Sequence, residues 1–319
     1  MSALVLGEHD VQRLLPMDEC IAVMEDALAA LAREELHNPL RFVVRPPDAS
    51  TLMGLMPAYR SGSGSAYGLK TVCIAPGNSA IGLDPHQGFV ALFDGETGEL
   101  RTIMHAGAIT AIRTAAVSAV ATRVLARPGS RTLAILGAGV QGRSHLEAMR
   151  AVHPFEEIRV WSRTPGHASE LGGVEEAGSA EEAVRGADVV VTVTAAREPI
   201  LERAWLAEGA HVNAIGSSIP TTRELDTQTM ADASLFVDRR ESTVNEAGDF
   251  LFPQGEGAIG PEHIRAELGE VLIGSAQGRS SDTELTVFKS LGLAVEDLAA
   301  AEHVLRRALA EGAGTEVDL

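Results

Sequence analysis

The stretch that decides the fold is Gly137-Ala138-Gly139-Val140-Gln141-Gly142, a glycine-rich turn between an apolar run and a helical pattern. The apolar run is Leu133–Leu136, the helical pattern covers 141–152, and a second apolar strand ends about twenty residues after the turn. In a βαβ unit of this kind the first glycine permits the tight turn, and the second lets backbone N–H groups approach a pyrophosphate at the helix start. The third lets the helix pack closely on the sheet. We therefore predict a Rossmann-type dinucleotide site formed by these six residues.

Strands and helices continue to alternate on the carboxyl side of this turn. Short apolar runs at 158–161, 189–193, 212–215 and 235–237 are typical of buried parallel strands, and Ser179 and Asp226 stand where helices begin. Residues 41–100 have a different pattern. Short runs of strand-forming residues are broken there by Gly, Pro and Ser, which predicts antiparallel strands.

Two further patterns complete the predicted organisation. Helices are predicted from about Asp18, over 114–126 and over Val295–Leu309, and the last is expected to return to the first domain. The predicted fold class is α/β, with a Rossmann-type domain of residues 128–292 beside a discontinuous α+β domain of residues 1–127 and 293–319.

The composition excludes several classes of function. The 319 residues have a net charge of −18 and no cluster of Lys and Arg, which argues against nucleic acid and anionic membrane surfaces as partners. No apolar run approaches the ~20 residues that span a bilayer. Two cysteines in apolar surroundings, Cys20 and Cys73, and no visible secretory signal favour a reducing cytoplasm. The histidines are scattered without metal-binding spacing, so we expect no metal, and His145 and His303 are expected at the surface.

The end of the second Rossmann strand indicates which cofactor binds. Sites for NAD usually carry Asp or Glu there, to accept hydrogen bonds from the ribose 2′-hydroxyl. This chain has Trp161-Ser162-Arg163-Thr164, which offers donors and no carboxylate that would repel a phosphate. NADP(H) is therefore the predicted cofactor, with NAD(H) possible. Alternatively, Arg163 stacks on adenine or points to solvent.

Several segments, spread in order along nearly the whole chain, carry a family resemblance. They are Met53–Tyr59, Gly68-Leu69-Lys70, His86-Gln87, Ile109–Ala116, the glycine turn with Gln141, Arg223–Asp226 and Thr286–Gly292. With these segments the chain resembles the ornithine cyclodeaminase/mu-crystallin family, and the mu-crystallin branch most closely.

The resemblance implies a homodimer and chemistry on amino acids or their imines. It assigns the discontinuous domain to substrate binding and dimerisation, and it implies that Arg41, Lys70 and Arg113 bind the substrate carboxylate. Three cations converging on one anion would also orient the α-carbon toward the nicotinamide. Singly, each has another interpretation: a surface strand residue, a solvated lysine, or a helix-start residue bound to cofactor phosphate.

One departure separates the branches of the family. Cyclodeaminases and the related alanine dehydrogenases carry an Asp where this chain has Ser218, and a Ser cannot act as a carboxylate base near neutral pH. We therefore predict NADPH-dependent reduction of an α-imino acid, a ketimine such as pyrroline- or piperideine-2-carboxylate, to the L-amino acid. The alternatives are an amino-acid dehydrogenase, an ornithine cyclodeaminase-type deaminase, and an NADPH-dependent ligand-binding protein without turnover.

Further residues receive roles in this prediction. Glu241 is the candidate for holding the iminium N–H, the alternative being a solvated loop residue. His86 either faces the nicotinamide or is a hydrogen-bonded loop histidine. The predicted cofactor contacts also include Thr194, Ile215, Gly216 and Ser290.

Overall fold

The computed structural model describes residues 2–318 and contains 16 strands and 10 helices within that range. The strands are β1 (Ser2–Leu6), β2 (Leu36–His37), β3 (Phe42–Val44), β4 (Leu52–Arg60), β5 (Ala66–Ile74), β6 (His86–Asp94), β7 (Leu100–His105), β8 (Thr132–Leu136), β9 (Glu157–Trp161), β10 (Glu175–Glu176), β11 (Val189–Thr192), β12 (His211–Ala214), β13 (Ser234–Val237), β14 (Ile264–Glu267), β15 (Thr286–Lys289) and β16 (Thr315–Asp318). The helices are α1 (Glu8–Leu14), α2 (Met17–Ala32), α3 (Ala106–Leu125), α4 (Val140–Val152), α5 (Ala180–Val184), α6 (Thr227–Asp232), α7 (Arg240–Glu246), α8 (Gly248–Gly255), α9 (Leu268–Leu272) and α10 (Ala294–Glu311).

The chain divides into two compact units. Unit 1 comprises Met1–Arg113 and Leu293–Leu319, and unit 2 comprises Thr114–Gly292. The sequence prediction placed the first boundary after residue 127, so the two divisions differ over residues 114–127 and share the boundary at 292/293. The observed boundary falls within α3, because residues 114–127, which were predicted for the first domain, pack with unit 2.

Unit 1 contains one sheet of eight strands in the order β16-β1-β7-β6-β5-β4-β2, with β3 paired to β4. All the pairs are antiparallel except β1 with β7, so the antiparallel prediction for 41–100 is confirmed. One face of this sheet packs against α10, as the approach of Gly68 to Leu298 shows: a Cβ added at Gly68 would lie 3.1 Å from that leucine. The predicted C-terminal helix therefore does return to the first unit.

Unit 2 contains the predicted parallel sheet. Its order is β10-β9-β8-β11-β12-β15-β13-β14, and every neighbouring pair is parallel. Starting from β8, the chain first adds strands on one side and then crosses to the other, which is the doubly wound arrangement. The strands β8, β11 and β12 are buried along most of their length, so they read as continuous apolar runs. The predicted fold class is confirmed.

The two helix starts predicted at Ser179 and Asp226 are also confirmed. Ser179 accepts a hydrogen bond from Glu182 N at the start of α5, and Asp226 accepts one from Thr229 N at the start of α6.

Helix α3 differs from its prediction. It begins at Ala106, not at 114, and its 20 residues make it the one helix among the described residues that is long and apolar enough to cross a membrane by composition. The expectation that no apolar run approaches that length was therefore wrong. However, 78% of its apolar window is buried inside the protein, which is the pattern of a core helix.

Candidate active site

The glycine turn joins β8 to α4 at the carboxyl end of the parallel sheet. Gly137 has φ of +120°, and a Cβ there would lie 2.8 Å from the carbonyl oxygen of Val193. At Gly142 a Cβ would lie only 2.1 Å from the carbonyl oxygen of Gly137. At Gly139, by contrast, it would meet nothing within 4 Å, so the start of α4 borders open space. Two glycines are thus required by the turn itself, and the middle one leaves room for a diphosphate at the positive end of the helix.

The segment after β9 carries the residues predicted to select the cofactor. Arg163 and Thr164 are exposed, Ser162 is half-buried, and Ser162 Oγ accepts a hydrogen bond from Thr164 N at 3.3 Å. Within residues 2–318 no carboxylate pairs with Arg163. One carboxylate does hold this segment, since Glu176 accepts a hydrogen bond from Gly166 N at 2.7 Å.

A buried carboxylate connects two of the other predicted cofactor residues. Glu224 Oε1 accepts hydrogen bonds from Thr194 N at 2.6 Å and Thr194 Oγ1 at 2.7 Å. Its Oε2 accepts from Thr192 Oγ1 and from Gly216 N, both at 2.7 Å. Burial and the nearby charge of Asp249 raise the pKa of Glu224, while the charge of Lys289 lowers this pKa. Glu224 thus fixes the segments that follow β11 and β12, where parallel sheets bind their ligands.

The remaining predicted cofactor residues lie at the same ends of neighbouring strands. Ile215 follows β12 and is 8% exposed, and Ser290 follows β15 and is buried. Ser290 Oγ donates a hydrogen bond to Asp238 Oδ2 at 3.1 Å, and the same oxygen accepts from the backbone N–H groups of Leu291 and Gly292.

In unit 1 the structure brings together the three cations predicted to bind a carboxylate. Lys70 lies on β5, Arg113 on α3, and Arg41 directly precedes β3 rather than lying on a strand. Lys70 and Arg113 are buried, at 5% and 3% exposure. Burial lowers the pKa of Lys70 to about 8, the Asp297 carboxylate raises it, and the charges of Arg113 and Arg41 lower it further. Arg41 therefore lies near enough to Lys70 for their charges to interact.

Two acidic residues that the sequence analysis did not single out complete this cluster. Asp297 Oδ2 lies 2.7 Å from Lys70 Nζ, and Asp297 Oδ1 accepts a hydrogen bond from Arg113 Nε at 3.0 Å. Glu296 Oε2 accepts one from Arg113 Nη1 at 2.6 Å. Both acids belong to the first turn of α10 and are almost completely buried. The available signal was their position, since Glu and Asp stand side by side within the apolar run 291–301.

The two other residues with predicted catalytic roles are exposed. Glu241 is in the first turn of α7 and forms an ion pair with Arg239 at 3.4 Å. His86 begins β6, 3.7 Å from the carboxylate of Asp84. Both roles remain predictions.

The expectation of surface histidines on the helices was wrong. His145 on α4 is fully buried, with Nδ1 2.8 Å from the Gln141 carbonyl and Nε2 3.0 Å from Ser118 Oγ. Burial lowers its pKa to about 4. His303 on α10 is 9% exposed and lies 2.8 Å from Glu19. Both histidines lie on the inner faces of their helices, where polar partners form hydrogen bonds with the imidazole rings.

Neither cysteine is in a disulfide: Cys20 is a buried thiol, as expected, while Cys73 is only partly buried. Over residues 2–318 no three His, Cys, Asp or Glu side chains are grouped to hold a metal ion.

A glycine turn on the parallel sheet of unit 2 and a buried cation cluster in unit 1 agree with the comparisons to known proteins. The model of the ornithine cyclodeaminase/mu-crystallin family matches residues 1–312. The chain belongs to this family. It is 44% identical to the ketimine reductase mu-crystallin of Mus musculus over 292 residues, which cover 89% of this chain and 90% of that protein.

Two solved structures of the family have nearly the same fold. The Thermococcus litoralis Delta(1)-pyrroline-2-carboxylate reductase, in complex with NADH and L-proline, has a TM-score of 0.95 and 36% identity, covering 98% of this chain and all of that one. An archaeal alanine dehydrogenase dimer with bound NAD has a TM-score of 0.94 and 33% identity over the whole of both chains.

Proposed function

We propose that this member of the family, an NAD(P)H-dependent oxidoreductase, reduces a cyclic α-imino acid such as pyrroline- or piperideine-2-carboxylate to the L-amino acid. The observation that carries the proposal is the buried cation cluster of unit 1, Lys70 and Arg113 with Arg41 nearby. In proteins, buried cations of this kind are suited to bind a carboxylate. Among the relatives, one reductase binds NADH and L-proline, the product that such a reaction would give from the five-membered imine.

The glycine turn fits a nicotinamide dinucleotide, which would supply the hydride. Open space at Gly139 and the start of α4 would receive the diphosphate, and the segments after β11 and β12 would hold the rest of the molecule. We propose NADPH as the preferred form, because Arg163 is exposed and unpaired with any carboxylate within residues 2–318. NADH is the cofactor in the T. litoralis structure, and assays with NADPH and NADH in parallel distinguish the two forms.

The residues of this chain would bind and orient the substrate. Lys70, Arg113 and Arg41 would hold the carboxylate and so fix the α-carbon. A substrate that arrives as an iminium ion needs little further acid catalysis, which agrees with Ser218 in place of an acid. Glu241 is proposed to hold the iminium N–H, and His86 to face the nicotinamide.

The test is loss of NADPH absorbance with purified protein and a panel of five- and six-membered cyclic ketimines and α-keto acid/amine mixtures, with NADH in parallel. We expect oxidation of NADPH that is faster than that of NADH. In Arg163→Gln the KM for NADPH should rise about tenfold, a loss of ~1.4 kcal/mol, while the KM for NADH stays constant. Equal effects on both cofactors would contradict the proposed selectivity.

The second candidate is oxidative deamination of an amino acid, favoured by the likeness to the archaeal alanine dehydrogenase. Ammonia release from an amino acid and NAD, with no oxidation of NADPH by any imine, would support it. Tight NADPH binding without turnover of any substrate would support a ligand-binding protein.

We also propose that the protein is a cytoplasmic homodimer. One face of the unit 1 sheet is exposed and apolar: Phe42, Val44, Met53, Tyr67 and Phe89 are 38–63% exposed. Cross-strand partners place Phe42, Leu55, Thr71 and Phe89 in one row. A patch of this kind is typical of a protein interface, and the archaeal relative is a dimer. Light scattering after size exclusion should give twice the 33.5 kDa of the chain, and Phe89→Asp should halve that mass.

A further inference from the structure

Four ionisable side chains in unit 1 are buried in contact with one another. They are Lys70, Arg113, Glu296 and Asp297, at 0–5% exposure, and they come from β5, α3 and α10. Two cations face two anions, and Arg41 adds a third positive charge nearby. Asp297 is central to the group because each of its oxygens holds a different cation, Lys70 at 2.7 Å and Arg113 at 3.0 Å.

The start of α10 leaves these carboxylates available for the cations. Acidic residues in a first helical turn usually stay in solvent near the free backbone N–H groups. Here the N-cap residue, Leu293, provides no side-chain cap, and Asn38 Oδ1 accepts from Val295 N at 3.1 Å instead. A residue from outside the helix thus satisfies one of the free N–H groups of α10. Asp297 and Glu296 point inward to Lys70 and Arg113.

The charge state of Lys70 depends on its neighbours. Burial lowers the pKa of Lys70 to about 8, and Asp297 is the group that opposes this most strongly. The charges that lower the pKa further are Arg113 on α3 and Arg41 before β3. From α2 the cluster is faced by Cys20, whose thiol pKa is raised by burial, so that it stays neutral. Asp297 is therefore the neighbour that favours the charged lysine over the neutral amine, both by its charge and by its hydrogen bond.

We propose that Asp297 is a positioning residue of the carboxylate site, which keeps Lys70 protonated and holds it beside Arg113. The inference rests on the proposed function, in which these cations bind the carboxylate of the imino acid. Binding of that carboxylate then requires Asp297, although Asp297 itself, being an anion, would repel the substrate if it acted alone. The variant Asp297→Asn keeps the shape and removes the charge.

The chain offers a direct measurement of Lys70 that does not depend on turnover. Lys70 and Lys289 are its only lysines, so protein labelled with 13Cε-lysine gives two lysine signals. In the wild type we expect one of them to titrate near pH 8. In Asp297→Asn this titration should move to lower pH by about 1–3 units, the usual effect of one close opposite charge. The other signal belongs to Lys289, whose partner is Asp249, and serves as the internal reference. An unchanged Lys70 titration would overturn the proposal, whatever the enzyme reduces.

Kinetics test the consequence for the substrate. The alkaline limb of kcat/KM for the ketimine should move to lower pH in Asp297→Asn, with most of the loss in KM. The ionisation of the imine is the same for every variant, so differences between variants report the protein. The matched control is Glu302→Gln, which removes another largely buried carboxylate from α10, one that pairs with Arg60. It should keep the wild-type profile.

A structural role alone would give a different result. It would lower activity equally at all pH values, without moving the limb, and that result would also overturn the proposal. If Asp297→Asn does not fold, Asp297→Glu replaces it, because it keeps the charge and moves it by one methylene. That variant should keep Lys70 protonated at pH 7 and raise KM, and a wild-type KM would refute positioning. If no imine is a substrate in the wild type, the proposed function fails while the lysine titration still decides the role of Asp297.

Discussion

Replacing Glu224 by Gln tests how the cofactor side of the protein is held together. The carboxylate accepts four hydrogen bonds, and each oxygen takes one backbone N–H and one threonine hydroxyl. A Gln amide places its NH2 group at one of the two oxygen positions. The threonine hydroxyl there can rotate and accept from the amide. The backbone N–H cannot. In one orientation of the amide Thr194 N loses the acceptor it has in Glu224, and in the other Gly216 N keeps only its longer bond, 3.2 Å, to the Thr192 carbonyl oxygen.

A buried donor that loses its partner costs about 1–3 kcal/mol. We expect a loss of about 1 kcal/mol of unfolding free energy in Glu224→Gln, because the amide can take the orientation in which Gly216 N keeps its bond to the Thr192 carbonyl oxygen. Glu224→Ala removes the acceptor of Thr194 N and the shorter of the two hydrogen bonds of Gly216 N, and it leaves a cavity, so it should cost more than twice as much. The assay is urea unfolding followed by tryptophan fluorescence. It reports unit 2 specifically, since the two tryptophans of the chain, Trp161 and Trp205, both pack against its core.

The same change should weaken cofactor binding. Thr194 and Gly216 follow β11 and β12, and a shift of either segment would displace the residues proposed to contact the dinucleotide. We expect a rise of about tenfold in the Kd for NADPH, equivalent to ~1.4 kcal/mol. The control is Glu198→Gln, an exposed glutamate near the same strand end, which should change neither value. Wild-type stability and affinity in Glu224→Gln would refute the reasoning.

Three further predictions use unfolding and cofactor-binding measurements, with far-UV circular dichroism in place of tryptophan fluorescence for the variant in unit 1. Gly142→Ala should destabilise the fold by about 1–3 kcal/mol, because its Cβ would lie 2.1 Å from the Gly137 carbonyl oxygen. Gly139→Ala, which meets no protein atom within 4 Å, should keep wild-type stability and lose NADPH affinity; equal stability losses in both would contradict this. Burial lowers the pKa of His145 to about 4, so the unfolded state binds more protons between pH 6.5 and 4, and stability falls as pH falls through that window. In His145→Asn the fall in unfolding free energy between pH 6.5 and 4 should be smaller than in the wild type by up to ~3 kcal/mol. Curves of unfolding free energy against pH that run parallel for the two proteins would argue against this role of His145. Burial raises the pKa of Glu302 to about 7, so its contribution is present at low pH and lost as pH rises from 4.5 to 7. The unfolding free energy of Glu302→Gln, minus that of the wild type, should rise by up to ~3 kcal/mol over that range, and a constant difference would refute it.

The parts of the fold that the sequence predicts well are those with a local physical cause. The glycine turn is recognisable because Gly137 and Gly142 meet backbone atoms that no side chain could tolerate. The strands β8, β11 and β12 are recognisable because burial on both faces makes them apolar throughout. Helix α3 shows the limit. Its apolar residues are spread over most of its circumference, so no period marks its start, and glycine at position 107, in its first turn, is unfavourable within a helix.

The site was predicted less completely, because its counter-charges come from distant parts of the chain. Lys70, Arg113 and Arg41 were identified through the family resemblance. Asp297 and Glu296 were not, since acidic residues at a helix start already have a sufficient local explanation in the helix dipole. Their burial against β5 and α3 depends on tertiary packing, which composition and spacing do not reveal.

The same arrangement, a buried lysine paired with an aspartate, occurs in both units. Only Lys70 and Lys289 of the 26 basic residues are lysines, and both are buried against an aspartate. Asp297 gives one oxygen to Lys70 and the other to Arg113 Nε. Asp249 gives one oxygen to Lys289 and the other to the backbone N–H of Glu224, the residue that fixes the strand ends. Lysine suits both positions, because its compact charge fits one carboxylate oxygen, whereas the broad guanidinium fork of arginine would compete for both. In each unit, therefore, the buried lysine binds one carboxylate oxygen of an aspartate, and the other oxygen accepts a hydrogen bond from a residue of the site.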